Sequence, residues 1–153
     1  MQQITSLLAN LRSDFPEYTF TASHEFYWDS VEKIIYFDAT SDDTASLLHE
    51  VAHAQLGHRG YVKDIQLIEM ERDAWQYARK HLGKKYSVSI IEDHVQDALD
   101  TYRNWLHARS RCPECDATGI QVKKRTYACL ACGSKWKVND ARICALRRYT
   151  LPQ

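Results

Sequence analysis

The apolar positions of this chain fall into blocks with different periods. In residues 2–12, Ile4, Leu7, Leu8 and Leu11 recur at helical spacing and predict a short helix. Pro16 marks its end, and its apolar face suits covering a sheet. Residues 18–38 change to a period of two. Tyr18, Phe20 and Ala22 alternate with Thr19, Thr21 and Ser23, and the runs EFYWD and KIIYFD flank the polar stretch Asp29 to Glu32 as in a hairpin. The aromatic and β-branched content agrees with strands. A small antiparallel sheet packed on helices is expected. One of its edges could take an extended peptide as an added strand, or the sheet could be scaffold alone.

The helical period then returns. TSDDT (residues 40–44) supplies N-cap residues, with Asp42 and Asp43 also favourable near a helix N-terminus. The helix runs through ASLLHEVAHAQLG to Gly57, with Leu47, Val51 and Ala54 on one stripe. A second helix is predicted from about Asp64 to Leu82. Leu67, Glu71, Ala74, Ala78 and Leu82 lie on one face of it. Ser89 and Glu92 have the spacing of a capping box before a third helix. Ile91, Val95, Ala98, Tyr102 and Trp105 form its core stripe, while His94 and His107 lie off it and read as surface residues.

Candidate chemistry sits on the first of these long helices. In HEVAH, His49 and His53 are one turn apart, about 40° around the axis, away from the apolar stripe. Both imidazoles can meet one ion while the stripe is buried. Imidazole suits Zn²⁺, and a catalytic zinc typically keeps three protein ligands and one position for water. Glu50 is then placed as general base, the arrangement of a metal-dependent hydrolase. The third ligand is sought on the second helix among Glu69, Glu71 and Asp73. Glu71 interrupts an otherwise apolar, small-residue face, where a carboxylate is costly unless paired or bound to metal. Glu69 and Asp73 lie about 160° and 200° away, toward the opposite face. Glu71 is therefore the expected ligand, with a salt bridge as its alternative role. His58 and Tyr61 are candidate oxyanion or substrate contacts from position alone.

Composition divides the chain. Its 153 residues suffice for one good domain, or a modest domain with a small module. The net charge of zero hides an asymmetry: residues 1–109 carry 11 Lys and Arg against 17 Asp and Glu, whereas residues 110–153 carry 9 against 3. All five cysteines fall in the second part. A domain over 1–109 and a module over 110–153 are expected. No run approaches the roughly 18 apolar residues of a membrane span, and the first residues lack the pattern of a signal peptide. A cytoplasmic protein with no membrane partner is expected.

In the basic part, Cys112, Cys115, Cys129 and Cys132 form two C-x-x-C knuckles 13 residues apart. That spacing reads as a structural four-cysteine zinc site, and the cytoplasmic expectation favours metal over disulfides. IQVKKRTYAC and SKWKV read as short strands, and the whole resembles a zinc ribbon. A module so poor in apolar residues would draw much of its folding free energy from the metal. Lys123, Lys124, Arg125, Lys135 and Lys137 lie among Tyr127 and Trp136. That mixture suits nucleic acid, through phosphate contact and stacking on bases, or an acidic protein partner. Residues 142–148 are expected to form a short basic helix, and Cys144 has no assigned role.

HEVAHAQLGH followed by ERDAWQYA resembles the ImmA/IrrE-type metallopeptidases. Glu71, Ala74 and Ala78 match their E-x-x-A-x-x-x-A helix, and Leu56, Gly57 and His58 match the end of their histidine helix. KIIYFDAT and TSDDT resemble the preceding strand and helix entry. Ala52 stands where glycine is common. The resemblance covers about residues 18–82. It implies an α+β fold with zincin-type helices, one catalytic zinc beside the structural one, and intracellular endopeptidase activity on a regulatory protein such as a DNA-binding repressor. Two other readings stand beside it: a non-catalytic, zinc-stabilised regulatory or DNA-binding protein, and a SprT-like protease acting on DNA-bound proteins. SprT-type enzymes resemble a three-histidine pattern, to which His58 is poorly spaced.

Overall fold

A computed structural model describes residues 4–141 and 145–152. The fold is mixed α and β. The chain divides into two compact units, each made of two stretches: Met1–Arg59 with Met70–Val95, and Gly60–Glu69 with Gln96–Gln153. The compositional break at Ser110 falls inside the second unit, at the end of a helix.

The first unit opens with α1 (Ile4–Asp14), whose Ile4, Leu7, Leu8 and Leu11 are all buried. Three strands follow: β1 (Thr19–Ser23), β2 (Tyr27–Asp29) and β3 (Ile34–Asp38), in the spatial order β1-β3-β2. The hairpin is present, since β2 pairs antiparallel with β3. The sheet as a whole is not antiparallel, because β1 runs parallel to β3. Residues 24–26 carry the chain past the end of β3, where Ser23 pairs with Asp38, and β2 returns on the far side. Alternation in a sequence specifies which face a residue takes, not the direction of its neighbour strand. Ile35 and Phe37 point from β3 into the core.

Helix α2 (Thr44–Gln55) starts where TSDDT predicts. The Asp43 carboxylate accepts from the Ser46 backbone N–H at 2.9 Å and from its hydroxyl at 2.6 Å. Leu47, Leu48, Val51 and Ala54 are buried. Gly57 ends the helix in the left-handed region, φ +68°, with its N–H on the Ala54 carbonyl. The next long helix comprises α3 (Asp64–Tyr77), a π-helical segment (Ala78–Leu82) and α4 (Gly83–Tyr86). The inserted π turn widens the helix, and such turns often lie near functional sites. Helix α5 (Glu92–Ser110) begins at Glu92, three residues after Ser89. Glu92 ion-pairs with Arg79. Ile91, one residue ahead of the helix, is exposed rather than on a core stripe, and Leu99 joins Val95 and Trp105 as a buried position.

The second unit holds an antiparallel sheet of four strands in sequence order: β4 (Ile120–Lys123), β5 (Thr126–Ala128), β6 (Lys135–Val138) and β7 (Arg148–Thr150). Its small core is Cys112, Tyr127, Cys129, Trp136 and Val138, with Leu106, Ala117 and Leu146 against it. Trp136 is fully buried and stacks on Tyr127, so neither ring is open to a nucleic-acid base. Alternation on β6 sends Trp136 inward and leaves Lys135 and Lys137 exposed. The expected basic helix over residues 142–148 is not borne out at its described end, where Arg148 enters β7. Its residues 142–144, Cys144 included, lie outside the described residues.

A buried polar network ties this unit together. The Arg109 Nε donates to the Asp64 carboxylate at 2.8 Å, and the Tyr127 hydroxyl donates to the same carboxylate. Arg109 also stacks on Trp105, and Trp136 Nε1 donates to the Arg109 carbonyl at 2.9 Å. The start of α3, the end of α5 and strand β5 thus share one charge pair.

Candidate metal centre

Within the first unit, α2 and α3 bring three side chains together. His49 Nε2 lies 2.9 Å from Glu71 Oε2, His53 Nε2 lies 3.1 Å from Glu71 Oε1, and the two Nε2 atoms are 3.0 Å apart. All three residues are buried. The helical spacing of His49 and His53 brings their rings together edge-on on one face of α2, centroids 4.4 Å apart and 78° between planes. Glu71 reaches them from the face of α3 that also buries Ala74 and Ala78. A tetrahedral ion with bonds of about 2.0–2.1 Å holds its donors about 3.3 Å apart. Two imidazole nitrogens and a carboxylate at the distances found fit such an ion, so the group could hold a metal such as zinc. Glu69 and Asp73, the other candidates on this helix, are exposed.

The surroundings of the two histidines differ. His53 Nδ1 lies 2.8 Å from His58 Nδ1. His58 therefore sits behind His53, on the nitrogen turned away from the convergent atoms, and is not part of the donor set. His49 Nδ1 is buried with no hydrogen-bond partner among the described residues. Its ring is instead stacked on Trp75, centroids 4.1 Å apart and 19° between planes, and Trp75 meets His94 edge-on. Trp75 was absent from the sequence-derived set. Its signal was available: it follows Glu71 by four residues, one turn along the same face. Tyr61 is half-buried and belongs to the second unit.

The electrostatics of the metal-free protein follow from this geometry. Burial raises the Glu50 carboxyl to about 7, against weaker opposing contributions from His53 and the Trp28 backbone N–H. Burial also pushes Glu71 upward, but hydrogen bonds from His49 and His53 outweigh it and hold Glu71 down at about 2. Burial lowers His49, with only partial compensation from Glu71. For His53 burial likewise favours the neutral form, yet the bond to Glu71 prevails and its pKa is raised. Burial keeps His58 below the ordinary histidine range. Two carboxylates on neighbouring helices are thus separated in character, Glu71 as a permanent anion and Glu50 as a group that exchanges protons near neutrality.

The second unit assembles the four cysteines. Cys112 and Cys132 Sγ are 3.6 Å apart, as are Cys115 and Cys129 Sγ. These are non-bonded distances, far beyond a disulfide, and close to those expected around one tetrahedral ion with Zn–S bonds of about 2.3 Å. Each knuckle closes in the same way. The residue after its second cysteine, Asp116 or Gly133, takes a left-handed conformation and donates its N–H to the carbonyl of the first cysteine, at 3.0 and 3.1 Å. Backbone N–H groups of Glu114 and Ala131 point at the Cys112 and Cys129 sulfurs, and the N–H groups of Cys132 and Ala131 hold the Cys129 thiol below its usual range. The Ser134 hydroxyl and N–H hold Cys132 down at about 6.

No helix among the described residues is long and apolar enough to cross a membrane. No protein-family model matches the chain, and comparisons with curated proteins and with solved structures likewise found no match.

Proposed function

We propose that this chain is a zinc-dependent endopeptidase of the ImmA/IrrE type, acting on a regulatory protein such as a transcriptional repressor, with a second zinc in its ribbon. The observation that carries the reading is the convergence of His49, His53 and Glu71 within 2.9–3.1 Å, with Glu50 one residue along α2 and poised near neutrality. His49, His53 and Glu71 would hold the ion, and Cys112, Cys115, Cys129 and Cys132 the structural one. A bound zinc supplies Lewis-acid polarisation of a carbonyl and acidifies water. Glu50 takes the proton of the attacking water and returns it to the departing amine. A carboxylate beside the ion can take a proton from acidified water and release it to a more basic amine.

Strand β2 supports a peptide substrate. It is one of the two edge strands of its sheet, and its Trp28 backbone N–H is directed at Glu50. An extended peptide lying along that edge passes the proposed base. The placement of His58 behind His53 favours a His-His-Glu donor set over the three-histidine pattern of SprT-like proteases. The exposed Lys123, Lys124, Arg125, Lys135 and Lys137 offer phosphate or acidic-protein contact without base stacking.

The test is incubation of the zinc-loaded chain with a proteome-derived peptide library, reading new termini by mass spectrometry. Wild type is expected to generate termini. Glu50→Gln is expected to lose at least 10³-fold in rate while retaining both zinc ions, since the base is lost and the donors are untouched. Equal cleavage by both would sink the role of Glu50. No cleavage by either, with both zincs bound, would favour a non-catalytic regulatory protein.

A further inference from the structure

We propose that His58 is a positioning residue of the metal centre, an imidazole that accepts the Nδ1–H of His53 and so fixes the tautomer of that ligand. The inference rests on the reading that His49, His53 and Glu71 bind a metal ion, and not on peptidase activity.

The backbone brings His58 there by way of the helix end. Gly57 in the left-handed conformation turns the chain back, and the His58 N–H donates to the His53 carbonyl at 3.0 Å. From the other side, Trp28 Nε1 donates to the His58 carbonyl at 3.2 Å. With its peptide groups held on both sides, the ring meets His53 at a centroid distance of 5.0 Å and an angle of 63°.

Proton placement then follows by necessity. His53 Nε2 faces the other donors and must be unprotonated to give its lone pair to an ion. With an ion bound, the proton of a neutral His53 is therefore on Nδ1, which lies 2.8 Å from His58 Nδ1. His58 must accept there, and so carries its own proton on Nε2. Metal-binding histidines generally donate their outer N–H to a carboxylate, a carbonyl or water. Here a second imidazole fills that place. It lines a cavity of about 190 Å³ with Tyr18, Trp28, Lys33 and Arg59, among others.

The acceptor atom, not the ring, is what the proposal requires, and three variants separate the two. His58→Asn places its Oδ1 close to the former Nδ1. His58→Gln sets its amide one atom farther out, and His58→Ala removes it. Zinc affinity is measured by chelator competition on the full chain with its ribbon already loaded. Asn is expected to stay within about threefold of wild type, and Gln and Ala to lose about 10- to 100-fold. In the zinc-loaded protein the His53 Nδ1–H is expected to give a protected, slowly exchanging NMR signal in wild type and Asn, and to exchange rapidly with water in Gln and Ala. Equal affinity in all four proteins overturns the proposal. So does an Asn variant as weak as Ala, which would make the ring's bulk the relevant property. A wild type that cleaves nothing but shows this affinity pattern leaves the inference standing and removes the proposed function. Cleavage with unchanged affinity does the reverse.

Discussion

Glu50 has a cost that appears only without metal. Its carboxyl is half-buried beside Glu71, and burial raises it from the usual 4.5 to about 7. Between those values the folded chain holds a proton that the unfolded chain has released, so stability falls as pH rises through that window and stays lower above it. Glutamine carries no such proton. Glu50→Gln is therefore expected to stabilise protein lacking the ion at the His49–His53–Glu71 group by up to about 3 kcal/mol at pH 8, with partial exposure reducing that figure. The gain should vanish near pH 4.5–5. Urea denaturation of both proteins at the two pH values measures it. A constant difference at both would mean that the Glu50 proton does not distinguish the folded from the unfolded state. The same residue was the easiest to find from sequence. His49, Glu50 and His53 share one helical turn, and local geometry alone sets their relation. The role of His58 was not legible, because it depends on where a left-handed Gly57 points the chain, and spacing alone left it a candidate oxyanion donor.

At the level of elements, period and capping chemistry located most of the helices and strands. Asp43 caps α2 as TSDDT predicts, and the four apolar residues of α1 are all buried. What failed were features decided by tertiary partners. Strand β1 lies parallel to β3, and Arg148 adds a strand to the four-stranded sheet. Trp136 misled for a related reason: an aromatic flanked by lysines looks exposed, but period two in β6 buries it. Gly119, just before β4, is the residue that admits this ring. A Cβ there would lie 2.5 Å from the Trp136 ring and 2.6 Å from the Ala128 carbonyl oxygen. Neither can yield easily, since one is a fully buried ring and the other is backbone. Gly119→Ala is expected to destabilise the ribbon by about 1–3 kcal/mol or more. Chelator concentration at half-unfolding of β4–β7, followed by tryptophan fluorescence, should fall accordingly. An unchanged midpoint would show that the sheet has room to shift.

Across the whole chain, each unit holds a set of charged groups or candidate metal ligands. In the second unit the buried members include more than Cys112 and Cys129. The Arg109 and Asp64 side chains are 2% and 3% exposed, and Tyr127 donates a further hydrogen bond to the carboxylate. Compositional reading set a boundary at Ser110, yet Tyr127, beyond that boundary, donates to the carboxylate of Asp64, before it, which charge counting along the chain has no means to detect. Removing one member leaves the other charge buried and uncompensated. Asp64→Leu is expected to cost about 3–5 kcal/mol on that ground. Tyr127→Phe keeps the ion pair and should cost about 1 kcal/mol. The double replacement Asp64→Leu with Arg109→Met removes both charges together. It should be less destabilising than Asp64→Leu alone, because the unpaired guanidinium is gone and apolar groups of similar volume stand in its place. Urea denaturation of the zinc-loaded variants gives the three values. If the double variant is the least stable, Arg109 contributes through its stacking on Trp105 and its bond to the Asn139 carbonyl more than through its charge. The pair would then be a packing element of the unit rather than a compensated charge.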